Sequence, residues 1–454
     1  LTILAYKLSL LGSISLFSIC PQMTQTAGTG TAIDAGSEPE LEENSVPALR
    51  ARPVKILHII NDLAIGGAEI MLYRLLSEKS RQRFNPVVIS LMDRGSLRQR
   101  IEELGIPVHT ARMKRGLPTP ASIWRLIRLV RQIKPDLIQG WLYHGSLAAQ
   151  LGSLSLPKRV PALWSIHCTI YSLSFEKKLT ALVVRICGWL SPLAAYIIFV
   201  SRTSQAQHEA LDYDVRKSCV VPNGIDTSLF APSREAQTAV RLELGIPQEA
   251  LLVGAIGRYH AMKDHANFLR AAALIAVRYP DVHFLLAGRE LDGENRGLRQ
   301  LISELGLENR THLLGERTDI ARLVAALDIF CLSSSHGESF PIIVGEAMSS
   351  AVPCVVTDVG DSAWILGGTG RVTPPRDARA LAAACEELLA LGRAGRETLG
   401  QAARARVVEL FSLPIVVGEY EALYETMLAT AAAAGKNSGR AYPAVGEVYS
   451  DEKG

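Results

Sequence analysis

The sequence has no C-x-x-C pair. Its seven cysteines stand singly at positions 20, 168, 187, 219, 331, 354 and 385, which removes zinc ribbons and dithiol redox motifs. An odd number in apolar surroundings reads as reduced, buried thiols of a cytosolic protein. Charge of one sign is also missing: the net charge is +3 over 454 residues, too little to argue for a nucleic-acid partner. Long apolar runs are few. The first, "LTILAYKLSLLGSISLFSIC" (1–20), carries only Lys7 and fits a signal-peptide core or a short anchor, although no small-x-small cleavage pattern follows it. The alternative is a misassigned start that adds unstructured residues. The second, "LTALVVRICGWLSPLAAYIIFV" (179–200), is interrupted by Arg185 and by Ser191-Pro192 and reads as a buried helix followed by a core strand.

What is present is globular: 48% apolar and 20% charged residues, over a length that predicts two domains of roughly 150 to 200 residues. Residues 1–52 divide into the apolar start and a Thr/Gly/Ser/Glu/Pro-rich stretch that reads as disordered, and residues 431–454 read the same way. Between them, short continuous apolar runs alternate with helical patterns. "VKILHIIN", "NPVVISLM", "IPVHTARM", "PDLIQGW", "ALWSIHC", "AYIIFVS" and "SCVVPNG" read as buried strands of a first unit, 53–222. "LLVGAIGR", "VHFLLAGR", "THLLGE", "IFCLSS" and "PCVVTD" restart the pattern in a second unit, 223–410. Such alternation predicts parallel sheets covered on both faces. The fold class is therefore α/β, two Rossmann-like domains facing across a cleft, with ligands at the carboxyl ends of the strands.

Three stretches carry chemistry at those ends. Gly66 and Gly67 follow the first strand and open a helix, a turn that lets a phosphate approach free N–H groups, or simply a tight turn. It is not G-x-G-x-x-G, so a nicotinamide cofactor fits poorly. In "GRYHAMKD", Arg258 and Lys263 lie just past a strand, where two cations can clamp a diphosphate and neutralise it as it leaves; ordinary surface charge is the alternative. In "SSSHGESFPIIVGEAM" (333–348), Pro341 stands where a helix begins. The amides of Ser339 and Phe340 then form an anion site aided by the helix dipole, and Glu338 and Glu346 bracket it. One carboxylate on each side of a diphosphate, each accepting from hydroxyls, is the shape of a nucleotide-sugar site. A capping glutamate and a solvent-facing glutamate are the alternative.

With E-x7-E at Glu338 and Glu346, "GR" followed by Lys263, "VVPNGIDTSLF", the early glycine pair and "GERTDIARLVAALDIF", residues 53–425 resemble the retaining glycosyltransferases of GT-B fold, group-1 type (family 4). "WLYHGSLAAQL" and "TDVGDSAWILGGTGRVTPP" look most like the bacterial branch that builds surface polysaccharides. The resemblance implies that Arg258 and Lys263 bind the donor diphosphate, Glu338 the hydroxyls of the transferred sugar and Glu346 the ribose. It implies that Gly67 approaches the phosphate or sugar from the opposite wall and that the segment around Arg317 lines the base. His167 falls where the family often has a histidine near the sugar, with a packed core histidine as the alternative, and His144 faces the acceptor side. The family's frequent glutamate after a V-G-G loop is replaced here by "VGDSAWI", with Asp361, and its His-Asp pair by His167-Cys168.

The resemblance further implies retention of anomeric configuration and a UDP-, GDP- or ADP-sugar as donor substrate, with no cofactor and no metal. It implies a glycan or lipid-linked acceptor; the expected location is the cytoplasm, either free or peripheral at the inner face of the cytoplasmic membrane. "DYD" at Asp212–Asp214 has the form of a metal motif but sits in a helix-to-strand connection and reads as a turn. "SIWRLIRLVRQIKP", with Trp124, Arg125, Arg128, Arg131 and Lys134, reads either as a membrane-surface helix or as a solvated basic face. A helix at 411–430 is expected to cross back to the first domain. Rival functions are a GT-B sugar-nucleotide epimerase or hydrolase, and a non-catalytic sugar-nucleotide-binding domain.

Overall fold

The computed structural model describes residues 52–78, 83–114, 118–170 and 178–436. The expectations for residues 1–51 and for 437–454 lie outside them. The first lobe is built on seven parallel strands in the order β3-β2-β1-β4-β5-β6-β7: β1 (Val54–Ile60), β2 (Phe84–Ser90), β3 (Val108–Thr110), β4 (Leu137–Trp141), β5 (Ala162–Ile166), β6 (Tyr196–Phe199) and β7 (Ser218–Val220). The helices between them are α1 (Gly67–Ser77), α2 (Leu97–Glu103), α3 (Pro120–Ile133), α4 (Leu142–Leu154), α5 (Lys178–Leu190) and α6 (Arg202–Glu209). β1 reads V-K-I-L-H-I-I and is buried over its last five residues. An uninterrupted apolar run, rather than an alternating one, is what a strand covered on both faces requires.

The second lobe has six parallel strands in the order β10-β9-β8-β11-β12-β13: β8 (Leu251–Ile256), β9 (Val282–Ala287), β10 (Thr311–Leu313), β11 (Ile329–Leu332), β12 (Cys354–Thr357) and β13 (Arg371–Thr373). Its helices are α7 (Arg234–Leu244), α8 (His265–Arg278), α9 (Arg296–Glu304), α10 (Ile320–Ala325), α11 (Ile342–Ser349), α12 (Ser362–Leu366), α13 (Ala378–Ala390) and α14 (Gly392–Leu410). The last helix, α15 (Leu413–Lys436), packs Val416, Tyr420, Tyr424 and Met427 against Ile56, Leu137 and Leu163 of the first sheet. A buried polar layer holds it there: Tyr424 donates to Gln139, and Gln139 donates to Ser165 (2.6 Å). The helix runs six residues past the expected end at 430, through an alanine-rich stretch of high helix propensity.

The two faces of the first sheet are covered differently. Leu57, Ile59 and Ile138 lie under α3 and α4, and Trp164, Ile197 and Phe199 lie under Tyr143 of α4 and Val184 and Cys187 of α5. One layer, α3-α4-α5, therefore covers one face. On the other, Ile56, Ile60 and Ile198 meet α1, α2 and α15. The reading of 179–200 as a buried helix and a strand needs a correction. β6 is buried, but α5 is buried on one face only, and Leu182 and Trp189 are 53% and 63% exposed. An apolar run reports that a helix exists and not that both its sides are covered.

The chain crosses between the lobes twice, and the crossings lie side by side: Ile225 N donates to Phe411 O and Leu413 N to Ile225 O, each at 2.8 Å.

Candidate active site

The carboxyl ends of both sheets meet across a seam, where Glu338 and Ser339 touch the first lobe and Lys263 joins Glu338. β8 and β11 are neighbours, so Arg258, two residues past β8, and Glu338, past β11, share one edge. A 3-10 turn, Ala261–Lys263, follows β8 and is stitched to the β11 exit: Ser335 N donates to Met262 O (2.7 Å) and Ser333 Oγ to Lys263 O (2.8 Å). Those bonds aim Lys263 at Glu338, whose Oε1 accepts from Lys263 Nζ (2.7 Å) and from Ser334 Oγ (2.5 Å). Lysine has three N–H donors, so two remain for a ligand. Arg258 is exposed, and its guanidinium has no ion pair or hydrogen bond among the described residues.

The amides of Ser339 and Phe340 donate to no protein group among the described residues, as an anion site at the head of α11 requires. Pro341 is the N-cap residue, one position before the helix. The Phe340 side chain points away into the core against Trp364 and Phe411, so its contribution is its backbone. Glu346 lies on α11, 8% exposed. Its Oε1 accepts from Arg74 Nη2 of α1 at 2.7 Å, and Arg74 Nη1 donates to Gly224 O of the crossing segment (2.9 Å). Burial raises the Glu346 pKa; Arg74 pulls it back and nearby Asp226 pushes it further up.

Opposite stands the glycine turn. Gly66 is the N-cap of α1 in extended backbone, and a Cβ there would lie 2.5 Å from Glu69 Oε2. Glu69, with its pKa pushed up to about 7 mainly by burial, folds back over this turn. At Gly67 a Cβ would meet nothing within 4 Å. Nothing inside the protein asks for glycine there, whereas a ligand approaching the backbone would.

His167 follows β5 and stacks on Trp141 (centroids 5.0 Å apart). Burial lowers its pKa to about 4. Among the described residues both ring nitrogens lack a partner, and so does Oδ1 of Asn223; the Asn223 amide favours the protonated ring without a well-formed bond to it. A buried imidazole with two idle nitrogens is placed to serve a ligand. His144 is exposed in the first turn of α4, its pKa lowered by partial burial. Arg317, in the segment expected to line the base, is engaged in ion pairs. Its guanidinium is bidentate to Asp319 (2.8 and 2.9 Å) and bonded to Glu243 (2.8 Å), a geometry that two carboxylates win from a neutral base. At "DYD", Asp214 pairs with Arg216 (2.8 Å) and Tyr213 is buried.

Sequence reasoning gives no site role to three residues that the structure brings into the seam. Arg74 and Glu69 sit on α1, just past the glycine pair. Asp361, in the sequence only a departure from the family pattern, reaches across the seam to cap α6. It accepts from Arg202 N (2.7 Å), Thr203 N (2.9 Å) and Thr203 Oγ1 (2.6 Å). Ser339 and Ser201 hydroxyls meet at 2.8 Å, Thr169 Oγ1 donates to the Glu338 carbonyl (3.2 Å), and Arg202 lies over Trp364 (4.6 Å).

Two family models match. Residues 65–229 match "Glycosyltransferase Family 4" and residues 250–391 match "Glycosyl transferases group 1". The chain belongs to the group 1 (family 4) glycosyltransferases. It is 28% identical over 247 residues to the UDP-Gal:alpha-D-GlcNAc-diphosphoundecaprenol alpha-1,3-galactosyltransferase of Escherichia coli, covering 52% of this chain and 62% of that enzyme. It therefore spans less than two thirds of that relative's length. It is 29% identical over 312 residues to a phosphatidyl-myo-inositol mannosyltransferase of Mycobacterium tuberculosis, covering 65% and 78%. Among solved structures, Anabaena HepE in complex with UDP superposes with a TM-score of 0.72 at 25% identity, over 82% of this chain and 100% of that one. The two-lobed glycosyltransferase fold, GT-B, is thereby shared, and Arg258, Lys263, Glu338 and Glu346 of this glycosyltransferase lie in the segment that the group 1 model matches.

Proposed function

We propose that this glycosyltransferase moves a sugar from a nucleoside diphosphate onto a lipid-linked acceptor or a growing glycan, with retention at the anomeric carbon. The observation that carries it is the ion pair of Lys263 with Glu338 beside two unpaired amides and an exposed arginine, at the ends of adjacent strands. In this reading the diphosphate lies against Arg258, the spare N–H groups of Lys263 and the amides of Ser339 and Phe340. All of them favour charge that grows as the leaving group departs, which is where binding energy lowers the barrier. Glu338 accepts from hydroxyls of the transferred sugar and Glu346 from the ribose, through the oxygen that Arg74 leaves free. The backbone at Gly67 closes on the donor from the other lobe. His167, neutral at physiological pH, presents a lone pair toward the sugar instead of a charge. The acceptor hydroxyl attacks from the side the diphosphate leaves and gives its proton to the departing phosphate oxygen as the new C–O bond replaces the old one, which conserves configuration.

Two relatives whose names carry a lipid on the acceptor, diphosphoundecaprenol and phosphatidyl-myo-inositol, support a lipid-linked acceptor and a peripheral position at the membrane. The UDP complex of HepE supports a uridine donor. No helix among the described residues is long and apolar enough to cross a membrane.

The test is turnover of UDP-, GDP- and ADP-sugars with and without polyprenyl-diphosphate-linked sugar acceptors, the anomeric configuration of the product being read by NMR. Transfer with retention is expected. Replacing Arg258 or Lys263 by alanine should cut turnover by on the order of 10²-fold or more. Near-normal turnover in both variants, or donor hydrolysis unaffected by any acceptor, would refute the assignment.

A further inference from the structure

The α3-α4-α5 layer has two features that the donor site does not use. The first is a stripe. Leu179, Leu182, Ile186 and Trp189 of α5, continued by Leu193, are 41%, 53%, 37%, 63% and 39% exposed. Their spacing of three, four, three and four residues puts them along one side of the helix, opposite Val184, Cys187 and Gly188, which face the sheet. On the same layer, beyond α4, Trp124 of α3 is 61% exposed. A soluble surface scatters its large apolar side chains singly; a contiguous line of them marks an interface.

The second feature is charge. Between residues 104 and 208 the sequence has thirteen lysines and arginines and two carboxylates, Asp136 and Glu176, although the whole chain carries only +3. The remainder of the protein is accordingly net negative. None of the three helices of this layer contains an aspartate or a glutamate. Arg128 and Arg131 lie exposed on α3 and Lys178 and Arg185 on α5. A tryptophan-bearing apolar stripe on helices that carry basic residues and no carboxylate matches the two layers of an anionic bilayer surface, acyl boundary and headgroup. It matches a second copy of this chain poorly, because two such faces would repel each other.

We propose that this glycosyltransferase docks on anionic lipid through the outer face of the α3-α4-α5 layer, with the α5 stripe entering the headgroup boundary and the basic residues of α3 and α5 on the phosphates. The inference rests on the reading of a lipid-linked acceptor and gives the peripheral contact an address. α5 begins eleven residues after His167, so a layer lying on the membrane brings the first lobe, with His167 and His144, and not the second to the lipid.

The experiment is co-sedimentation of the full chain with vesicles of phosphatidylcholine alone or with one third phosphatidylglycerol, at low and high salt. Beside the wild type stand the triple variant Leu182→Ser, Ile186→Ser, Trp189→Ser and the charge variant Arg128→Glu, Arg185→Glu. All five residues are exposed or partly so, and thermal melting checks that the variants fold. Thermal shift with UDP is run in parallel on each, so that loss of donor recognition, which would sink the functional reading, is seen separately from loss of vesicle binding. The wild type is expected to bind the anionic vesicles with salt sensitivity, and each variant to bind at least tenfold more weakly while its response to UDP is unchanged. Wild-type-like binding by the triple variant would overturn the proposal, as would equal binding to neutral vesicles. A wild-type dimer in light scattering that the triple variant breaks, without vesicle binding, would assign the face to a second copy and overturn it equally.

Discussion

Glu346 shows what a single residue does in this protein and what it needs. A carboxylate 8% exposed is held against its own desolvation by one arginine from the other lobe. Removing one partner of such a pair leaves an uncompensated charge and costs about 3 kcal/mol or more, whereas removing both costs less. Arg74→Met should therefore destabilise the protein markedly, and Arg74→Met with Glu346→Gln should recover much of the loss. Donor binding follows a different rule. Without Arg74 the Glu346 pKa rises further, so the carboxylate that accepts from the ribose forms only at higher pH than in the wild type. The donor KM of Arg74→Met is expected to rise at least tenfold and to improve as the pH is raised, while the double variant stays weak at every pH. A KM independent of pH in the single variant would show that Glu346 does not serve the donor. Glu346 is legible in the sequence through its spacing from Glu338. Arg74 is not: it lies 272 residues away, and on its own helix it looks like any surface arginine. The partners of Arg317 are half legible: Asp319 stands two residues away and Glu243 seventy-four.

At the scale of elements, the seam between the lobes depends on a loop of one lobe finishing a helix of the other. Asp361 caps α6, and a capping side chain adds about 1 kcal/mol. The same loop also shapes the donor site. Gly360 adopts φ +61, a Cβ there would overlap the Glu338 carbonyl oxygen, and Asp361 N donates to Ser339 O (2.9 Å). The cap and the anion site thus move together. Asp361→Ala should lower kcat by about tenfold or more through misplacement of reacting groups, with the donor KM nearly unchanged and melting lowered by only a few degrees. Equal losses in kcat/KM and stability, restored by a stabilising osmolyte, would reduce Asp361 to a structural cap. The strands themselves are legible because a strand covered on both faces must be apolar throughout. The cap from another lobe and the bare side of α5 are not, since a local pattern states what an element is and not what covers it.

For the whole molecule, burial is distributed unevenly between the lobes, and pH reveals it. Burial lowers seven histidines, but the large shifts are unevenly placed: His58, His167 and His208 of the first lobe are lowered to about 3, 4 and 4 and His265 of the second to about 4, while His144 of the first lobe and His283 and His312 of the second move in the same direction. Each of the four with a large shift is depressed below its unfolded value near 6.5, so the unfolded chain binds the extra proton first. Stability is then full above about pH 6.5 and falls as the pH drops toward 4, by on the order of 1.4 kcal/mol per group for each unit in that window. Glu69, raised to about 7, acts with the opposite sign: its contribution is present at low pH and fades as the pH climbs from 4.5 to 7. It is one group against three in the same lobe. Acid should therefore open the first lobe before the second. Hydrogen exchange at pH 5 is expected to show β1, β4 and β5 losing protection while β8, β9 and β11 keep theirs, with His208→Gln narrowing the gap through the loss of one buried titration. Simultaneous loss in both sheets would mean that the seam couples the lobes more strongly than the three histidines can separate them.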